Sequence, residues 1–310
     1  MALAPIVLFT FNRPVHTSKT LKSLKKNRLA ADSILFIYSD GPRKNASEDE
    51  LENIREVRNV IRQEQWCKEV HIVESPLNKG LANSIISGVS EVFNSFEKLI
   101  VLEDDMISSE FFLQFMNDAL NLYALKESVA CISGYVTPTL QPLPESFFVK
   151  GADCWGWGTW KHAWKLFQPD GEKLLAELKE KNLTHEFDYN SSYPFTQMLA
   201  DQVAGKNDSW AIRWYASAFL SNKLLLYPGK SFINNIGNDK SGFHRLDSDS
   251  YSTDMNNAYT SLKEIKTEEN TAAKKLLEEF YASLKTNPGS SGRLIRGIKK
   301  TLQKIIRPGE

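Results

Sequence analysis

Apolar runs that halt at polar or charged residues recur through the first half of the chain, with amphipathic stretches between them. The run at 5–11 predicts a strand, and 14–26 predicts a helix with a proline in its first turn. Residues 33–38 predict a second strand that stops at Ser39-Asp40-Gly41-Pro42, and 48–65 a charged amphipathic helix. A third strand is expected at 70–74, then a helix at 80–96 with Ile85, Val89, Val92 and Phe96 on one face. Residues 99–102 read as a fourth strand, followed by a helix at 110–125 and a strand at 129–133. Strands alternating with helices imply right-handed crossovers and a mostly parallel α/β sheet.

The second half is less regular. A strand is predicted at 147–149, a helix at 209–222 and a short strand at 224–227. Between the first two lies Cys154-Trp-Gly-Trp-Gly-Thr-Trp-Lys-His-Ala-Trp164, which holds four of the seven tryptophans. Residues 234–257 are polar and turn-rich and predict a long loop. After a linker-like stretch at 287–292, residues 293–307 carry six basic side chains and no acid, with Leu294, Ile298, Leu302 and Ile305 at helical spacing. A basic amphipathic helix of this kind can lie on an anionic membrane surface, or dock on the body by its apolar stripe.

Composition narrows the picture. Hydrophobic content of 42% suits a sizeable core, and a formal net charge of zero gives no global electrostatic case for a nucleic-acid partner. Cys67, Cys131 and Cys154 are odd in number and far apart, offering neither zinc spacing nor a disulfide framework, which fits a reducing cytosol. The apolar start of the chain lacks a basic lead and is too short for a signal peptide. No stretch approaches the roughly 18–20 apolar residues of a membrane span, so a cytoplasmic protein is expected.

Candidate chemistry gathers where the predicted strands end. The first leads into Thr10-Phe11-Asn12-Arg13, the second into Asp40, the third into Asn78-Lys79-Gly80 and the fourth into Glu103-Asp104-Asp105. In a parallel sheet these carboxyl ends share one edge, where open α/β folds bind ligands. Three adjacent carboxylates repel one another, and a hard divalent cation shared with a phosphorylated substrate would reconcile them. A solvated acidic turn is the plainer alternative. Arg13 offers a fork suited to phosphate, and Asp40 offers acceptors for a base or ribose. Taken singly, they could equally be a surface ion pair and an Asx turn.

The segments Pro5-Ile-Val-Leu-Phe-Thr-Phe-Asn-Arg-Pro14, the Asp40 strand end, Asn78-Lys-Gly-Leu-Ala-Asn83 and Val101-Leu-Glu-Asp-Asp105 together resemble GT-A glycosyltransferases. The nearest pattern is that of the N-acetylglucosaminyltransferase I type and its bacterial relatives, and 78–83 also resembles a segment common in family 2 transferases. The likeness covers 5–135 well and 150–245 more loosely. It implies a Rossmann-like GT-A sheet flanked by helices, with a nucleotide-sugar-binding half at 1–135 and an acceptor-binding, catalytic half of the same domain at 136–286. The linker and basic tail would occupy 287–310. The implied activity is inverting, metal-dependent hexosyl transfer from a nucleotide-diphosphate sugar, such as UDP-GlcNAc. The implied acceptor is a glycan or lipid-linked glycan of lipopolysaccharide, capsule or exopolysaccharide synthesis, met at the inner membrane face.

Carried over residue by residue, the resemblance makes Asp105 the Mn2+ or Mg2+ ligand, with Glu103 and Asp104 near ribose, sugar hydroxyls or metal-bound water. Asp40 would read the base and Arg13 the diphosphate, with Thr10, Phe11, Asn12, Asn78, Lys79 and Asn83 bordering the nucleotide. Such relatives use a histidine near the position of Asn78, so that contact differs here. Inverting transfer needs a base for the acceptor hydroxyl. The family places it just before a tryptophan-containing helix, where Asp208 stands in Asn207-Asp-Ser-Trp210. Asp208 could instead be only the helix N-cap, and Asp170, Asp188 and Asp201 compete for the catalytic role. Trp155 and Trp157 are expected to offer faces to a sugar ring, or else to fill a core. His244, in a glycine-bearing loop that could act as a lid, would reach the diphosphate or metal. A sugar nucleotidyltransferase is the rival enzyme, although Thr10-Phe-Asn-Arg-Pro14 is not its glycine-rich phosphate loop. A non-catalytic carbohydrate-binding protein is the rival from another class.

Overall fold

The structure is a computed structural model that describes residues 2–237, 239, 249–259 and 261–286. The first half runs β1 (Ile6–Thr10), α1 (Pro14–Lys25), β2 (Ile34–Ser39), α2 (Glu48–Val60), β3 (Glu69–Glu74), α3 (Leu81–Val92), β4 (Lys98–Glu103), β5 (Met106–Ser108), α4 (Phe112–Leu122) and β6 (Val129–Ser133). The second runs β7 (Ser146–Lys150), β8 (Trp157–Trp160), α5 (Lys161–Trp164), α6 (Gly171–Glu180), α7 (Thr184–Phe187), α8 (Phe195–Val203), α9 (Trp210–Leu220), β9 (Leu224–Pro228), β10 (Ile233–Asn235) and α10 (Thr271–Thr286).

Eight strands form one sheet in the order β3-β2-β1-β4-β8-β6-β9-β7. β1 pairs in parallel with β2 and β4, β2 with β3, and β6 with β9, while β8 and β7 run antiparallel to their neighbours. This is the mostly parallel, helix-flanked α/β sheet that the alternating pattern predicts. β1 is buried along its whole length, as a strand covered on both faces must be, which is why it reads as an unbroken apolar run. Gly88 lets α3 settle close above it: a Cβ there would stand 2.8 Å from the Phe9 ring. Ser47 caps α2 by accepting from Glu50 N–H, and Glu48, Asp49 and Glu50 complement the positive end of that helix.

The parallel register lines up the strand ends. Thr10 lies opposite Ser39, Ser39 opposite Glu74, and Phe9 opposite Glu103. The polar residues that follow β1, β2 and β4 therefore start within neighbouring strand spacings, about 4.8 Å each, along a single edge.

The Trp-rich segment holds a strand that its sequence did not announce. β8 inserts between β4 and β6, with Gly158 against Met116 and Leu120 of α4. Its tryptophans build a core, in which Trp157 stacks on Trp210 at 5.3 Å and lies 6.0 Å from Trp214. α10, also unannounced, buries Ala273, Leu277 and Phe280 beside β7, and Glu269 just before it accepts from Lys150 N–H. Part of the expected loop at 234–257 is ordered as β10, paired with β5, and a 3-10 turn at Asp249–Tyr251. The linker at 287–292 and the basic helix expected at 293–307 lie outside the described residues. Among the described residues, no helix is long and apolar enough to cross a membrane.

Candidate active site

The acid triplet spans a junction. Glu103 is the last residue of β4, Asp104 and Asp105 form the turn, and Met106 begins β5. β5 is held antiparallel to β10, and Ile236 N–H donates to Asp105 O at 2.9 Å, so the second half of the chain grips the turn from one side. From the other side, Thr20 of α1 donates its hydroxyl to Asp104 O at 2.8 Å, and Ser23 Oγ accepts from Ser108 N–H at 3.1 Å. The turn is thus buried between two elements, and Asp104 and Asp105 are buried with it.

Arg13, entering α1 from β1, is the counter-charge. Its Nη2 donates to Asp104 Oδ1 and, at 2.9 Å, to Asp105 Oδ2. Burial opposes the guanidinium's charge, but the facing Asp104 and Asp105 raise its pKa above the usual arginine value. One cation does not neutralise three acids. Burial, reinforced by Asp105 and then Asp104, pushes Glu103 up to about 8. Burial also raises Asp104, with Arg13 pulling the other way.

Asp105 Oδ1 is buried and has no hydrogen-bond partner among the described residues. A buried carboxylate oxygen without a donor is costly, and a hard cation satisfies it. Gly237 packs closely on the same acid: a Cβ there would lie 2.1 Å from Asp105 Oδ2, so a larger residue would displace that carboxylate. Among the described residues, no three His, Cys, Asp or Glu side chains are grouped to enclose an ion by themselves. The donor set therefore fits a Mn2+ or Mg2+ bound through one or two carboxylates, with water and phosphate oxygens completing its shell.

Asp40 stands one strand away, its N–H donating to Thr10 O at 2.9 Å. Its carboxylate accepts from Gly41 N–H, Lys79 N–H, Gly80 N–H and the Asn78 side-chain amide, at 2.9–3.2 Å. These bonds lock the loop after β3 onto the strand edge, so Asp40 builds a wall of that edge from within. Asn78 is committed to that wall, while Lys79 is exposed and Asn83 Nδ2 donates to Lys79 O. Half-buried Phe11 lies under the Arg43 guanidinium at 5.1 Å, and Asn12 beside it is half-buried too. Thr10 is buried at the strand end.

The second half reaches the same edge. Trp157 opens β8 opposite Val101, two residues before Glu103, and Trp210 stacked on it fixes the N-terminus of α9 there. Asp208 sits just before that helix, 62% exposed, with its Oδ1 3.3 Å from Arg213 Nη2. Ser209, not Asp208, is the N-cap: its hydroxyl accepts from Ile212 N–H. The competing acids have other partners. Asp170 caps α6, Asp188 accepts from Thr196 N–H, and Asp201 pairs with Lys206.

The two tryptophans expected as sugar faces part company. Trp157 is fully buried, and its large ring is core rather than shelf. Trp155 is half-buried, edge-on to Tyr135 at 4.6 Å and to Tyr251 at 5.5 Å. Its neighbour Cys154 reports how close this loop comes to the acids. Burial first, then the charges of Asp153 and Glu103 and, less, that of Asp105, hold its thiol well above the usual range. His244 lies outside the described residues.

Sequence reading missed three residues here. Asp153 accepts from Cys154 N–H and Ser133 Oγ, and burial raises its pKa. His16 Nε2, one turn beyond Arg13, lies 3.1 Å from Asp239 Oδ2, joining α1 to the segment after β10. Gly237 is the third. The adjacency of Asp153 to the Trp motif and the i+3 spacing of His16 from Arg13 were the available signals.

No family model matches the chain, and no curated protein matches its sequence. Among solved structures, it is similar to a UDP-glucose pyrophosphorylase complexed with UDP-glucose (14% identity, 73% of this chain and 90% of that one, TM-score 0.36). It is also similar to S. aureus TarS 1–349 (10% identity, 76% and 61%, TM-score 0.39) and to mouse xyloside xylosyltransferase 1 in its apo form (11%, 66% and 82%, TM-score 0.34).

Proposed function

We propose that the chain is an inverting, metal-dependent glycosyltransferase that moves a sugar from a nucleotide diphosphate, most simply a UDP-sugar, to a hydroxyl of a surface glycan. The observation that carries this reading is the buried Asp105 Oδ1, without a partner among the described residues, beside Arg13 at the edge that also presents the Asp40 wall. A solvated acidic turn would not be buried.

In this proposal Asp105 holds a Mn2+ or Mg2+ ion, and Glu103 and Asp104 flank it. When bound, the ion would offset the charge that develops on the departing diphosphate. Arg13 adds a second positive charge at the same oxygens. The wall built by Asp40, Asn78 and Gly80, together with Phe11, borders the base and ribose. Asp208 takes the proton of the acceptor hydroxyl as that oxygen bonds to the anomeric carbon, and the bond to the diphosphate oxygen breaks on the opposite side. Its exposure leaves it open to an incoming acceptor, and Arg213 restrains its carboxylate. Trp155 is the aromatic face available to a sugar ring.

The test is a panel of nucleotide sugars with Mn2+, with and without glycan acceptors, following the small product released. Release of a nucleoside diphosphate that depends on one donor and on the cation is expected. Release of pyrophosphate from a nucleoside triphosphate and sugar phosphate would instead identify a nucleotidyltransferase, and no release with any donor would contradict the proposal.

A further inference from the structure

We infer that Arg13 is a resident counter-charge that couples cation to nucleotide: by bridging Asp104 and Asp105 it opposes a divalent ion at Asp105 until the anionic charge of a nucleotide arrives. The inference rests on the metal-dependent reading above and adds how that site is switched.

A single nitrogen, Arg13 Nη2, bonds both Asp104 and Asp105. It therefore occupies the space between the two carboxylates, which are only 6% and 11% exposed. Buried carboxylates need such a counter-charge in the ligand-free protein. A divalent ion held by Asp105 would sit against its carboxylate. The guanidinium nitrogen is 2.9 Å from Asp105 Oδ2, so ion and guanidinium would be close like charges inside a low-dielectric turn. Both cannot hold Asp105 unless anionic charge arrives with the metal.

A nucleotide diphosphate brings that charge. Arg13 can then keep Asp104, give Asp105 to the ion and turn its freed N–H groups to phosphate oxygens. Two consequences follow. Metal alone should bind weakly because it must enter beside the Arg13 charge, and metal and nucleotide should each tighten the other by the same factor, as linkage requires. Arg13 thereby keeps the acid turn folded and nearly neutral without a donor, and couples the two ligands when the donor comes.

The test measures Mn2+ binding by the loss of free-ion EPR signal in wild type, R13Q and R13K, each with and without UDP. Wild type should bind Mn2+ weakly alone and roughly tenfold or more tightly with UDP. R13Q should bind Mn2+ alone more tightly than wild type yet bind UDP more weakly, so that the coupling factor collapses. R13K, which keeps the charge and loses the fork, should fall between them. A residue that merely supports the turn would lower both affinities when replaced. If wild type binds Mn2+ with UDP but R13Q binds Mn2+ alone no more tightly, this inference is overturned while the functional reading stands. If wild type binds no Mn2+ even with UDP, both fail. Should R13Q not fold, R13K and the wild-type coupling factor decide: a factor near one in wild type overturns the inference.

Discussion

At the scale of single residues, the acids of the turn divide by what each touches. Asp105 keeps one oxygen on Arg13 and one unpaired among the described residues, Asp104 is fully engaged with Arg13, and Glu103 is pushed up to about 8 by burial and then by its two neighbours. A carboxyl whose pKa rises on folding holds its proton more tightly in the folded state. It therefore stabilises the fold most below the ordinary glutamate range, and that contribution is lost as pH climbs toward about 8. Metal-free protein should show a melting temperature that falls between about pH 5 and pH 8, and E103Q should roughly halve the fall. Thermal scans in chelator across this range check it, and an unchanged slope in E103Q would remove Glu103 from the effect. The types and spacing of the three acids and Arg13 were legible in the sequence. Their division of labour was not, because it depends on Thr20, Ser108 and Ile236, which bury the turn from distant parts of the chain.

At the scale of elements, the N-terminus of α9 separates two roles that one acid might have combined. Ser209 caps the helix, so Asp208 is released from capping and projects beside Arg213. S209A should lower the melting temperature by about 1–3 °C, from loss of a cap of ~1 kcal/mol, with sugar transfer at permissive temperature unchanged. D208N keeps an oxygen for Arg213 and should spare Mn2+-dependent UDP binding, but lower transfer by about 10²–10⁴-fold. Donor-binding titrations and product assays on both variants check this, and transfer retained in D208N would pass the role to another group. The sequence could not choose between adjacent Asp208 and Ser209, since both are good caps. It also hid β8, because Trp157–Trp160 lacks polar alternation: all four residues are buried between β4 and β6. The expectation that Trp157 faces a sugar failed for the same reason.

At the scale of the molecule, one continuous sheet joins the two halves, and its parallel register is what turns four scattered motifs into one edge. The strands β1 to β4 and their parallel arrangement were implied by alternating apolar runs, because parallel strands buried on both faces advertise themselves in sequence, whereas their order β3-β2-β1-β4 comes from the structure. The contributions of β10 and α10 were not legible. β10 completes the turn through a three-residue pairing too short to leave a pattern, and α10 follows a stretch without regular structure. In the proposed function the site is a metal-and-diphosphate clamp, in which Arg13 opposes the cation until donor arrives. The most direct measurement is calorimetric titration of UDP into wild type and D105A, each with Mn2+ and with chelator. The account predicts that wild type binds UDP at least about tenfold more tightly with Mn2+, and that D105A loses this enhancement while remaining folded. Equal UDP affinity with and without the cation, or an enhancement that survives in D105A, would contradict it.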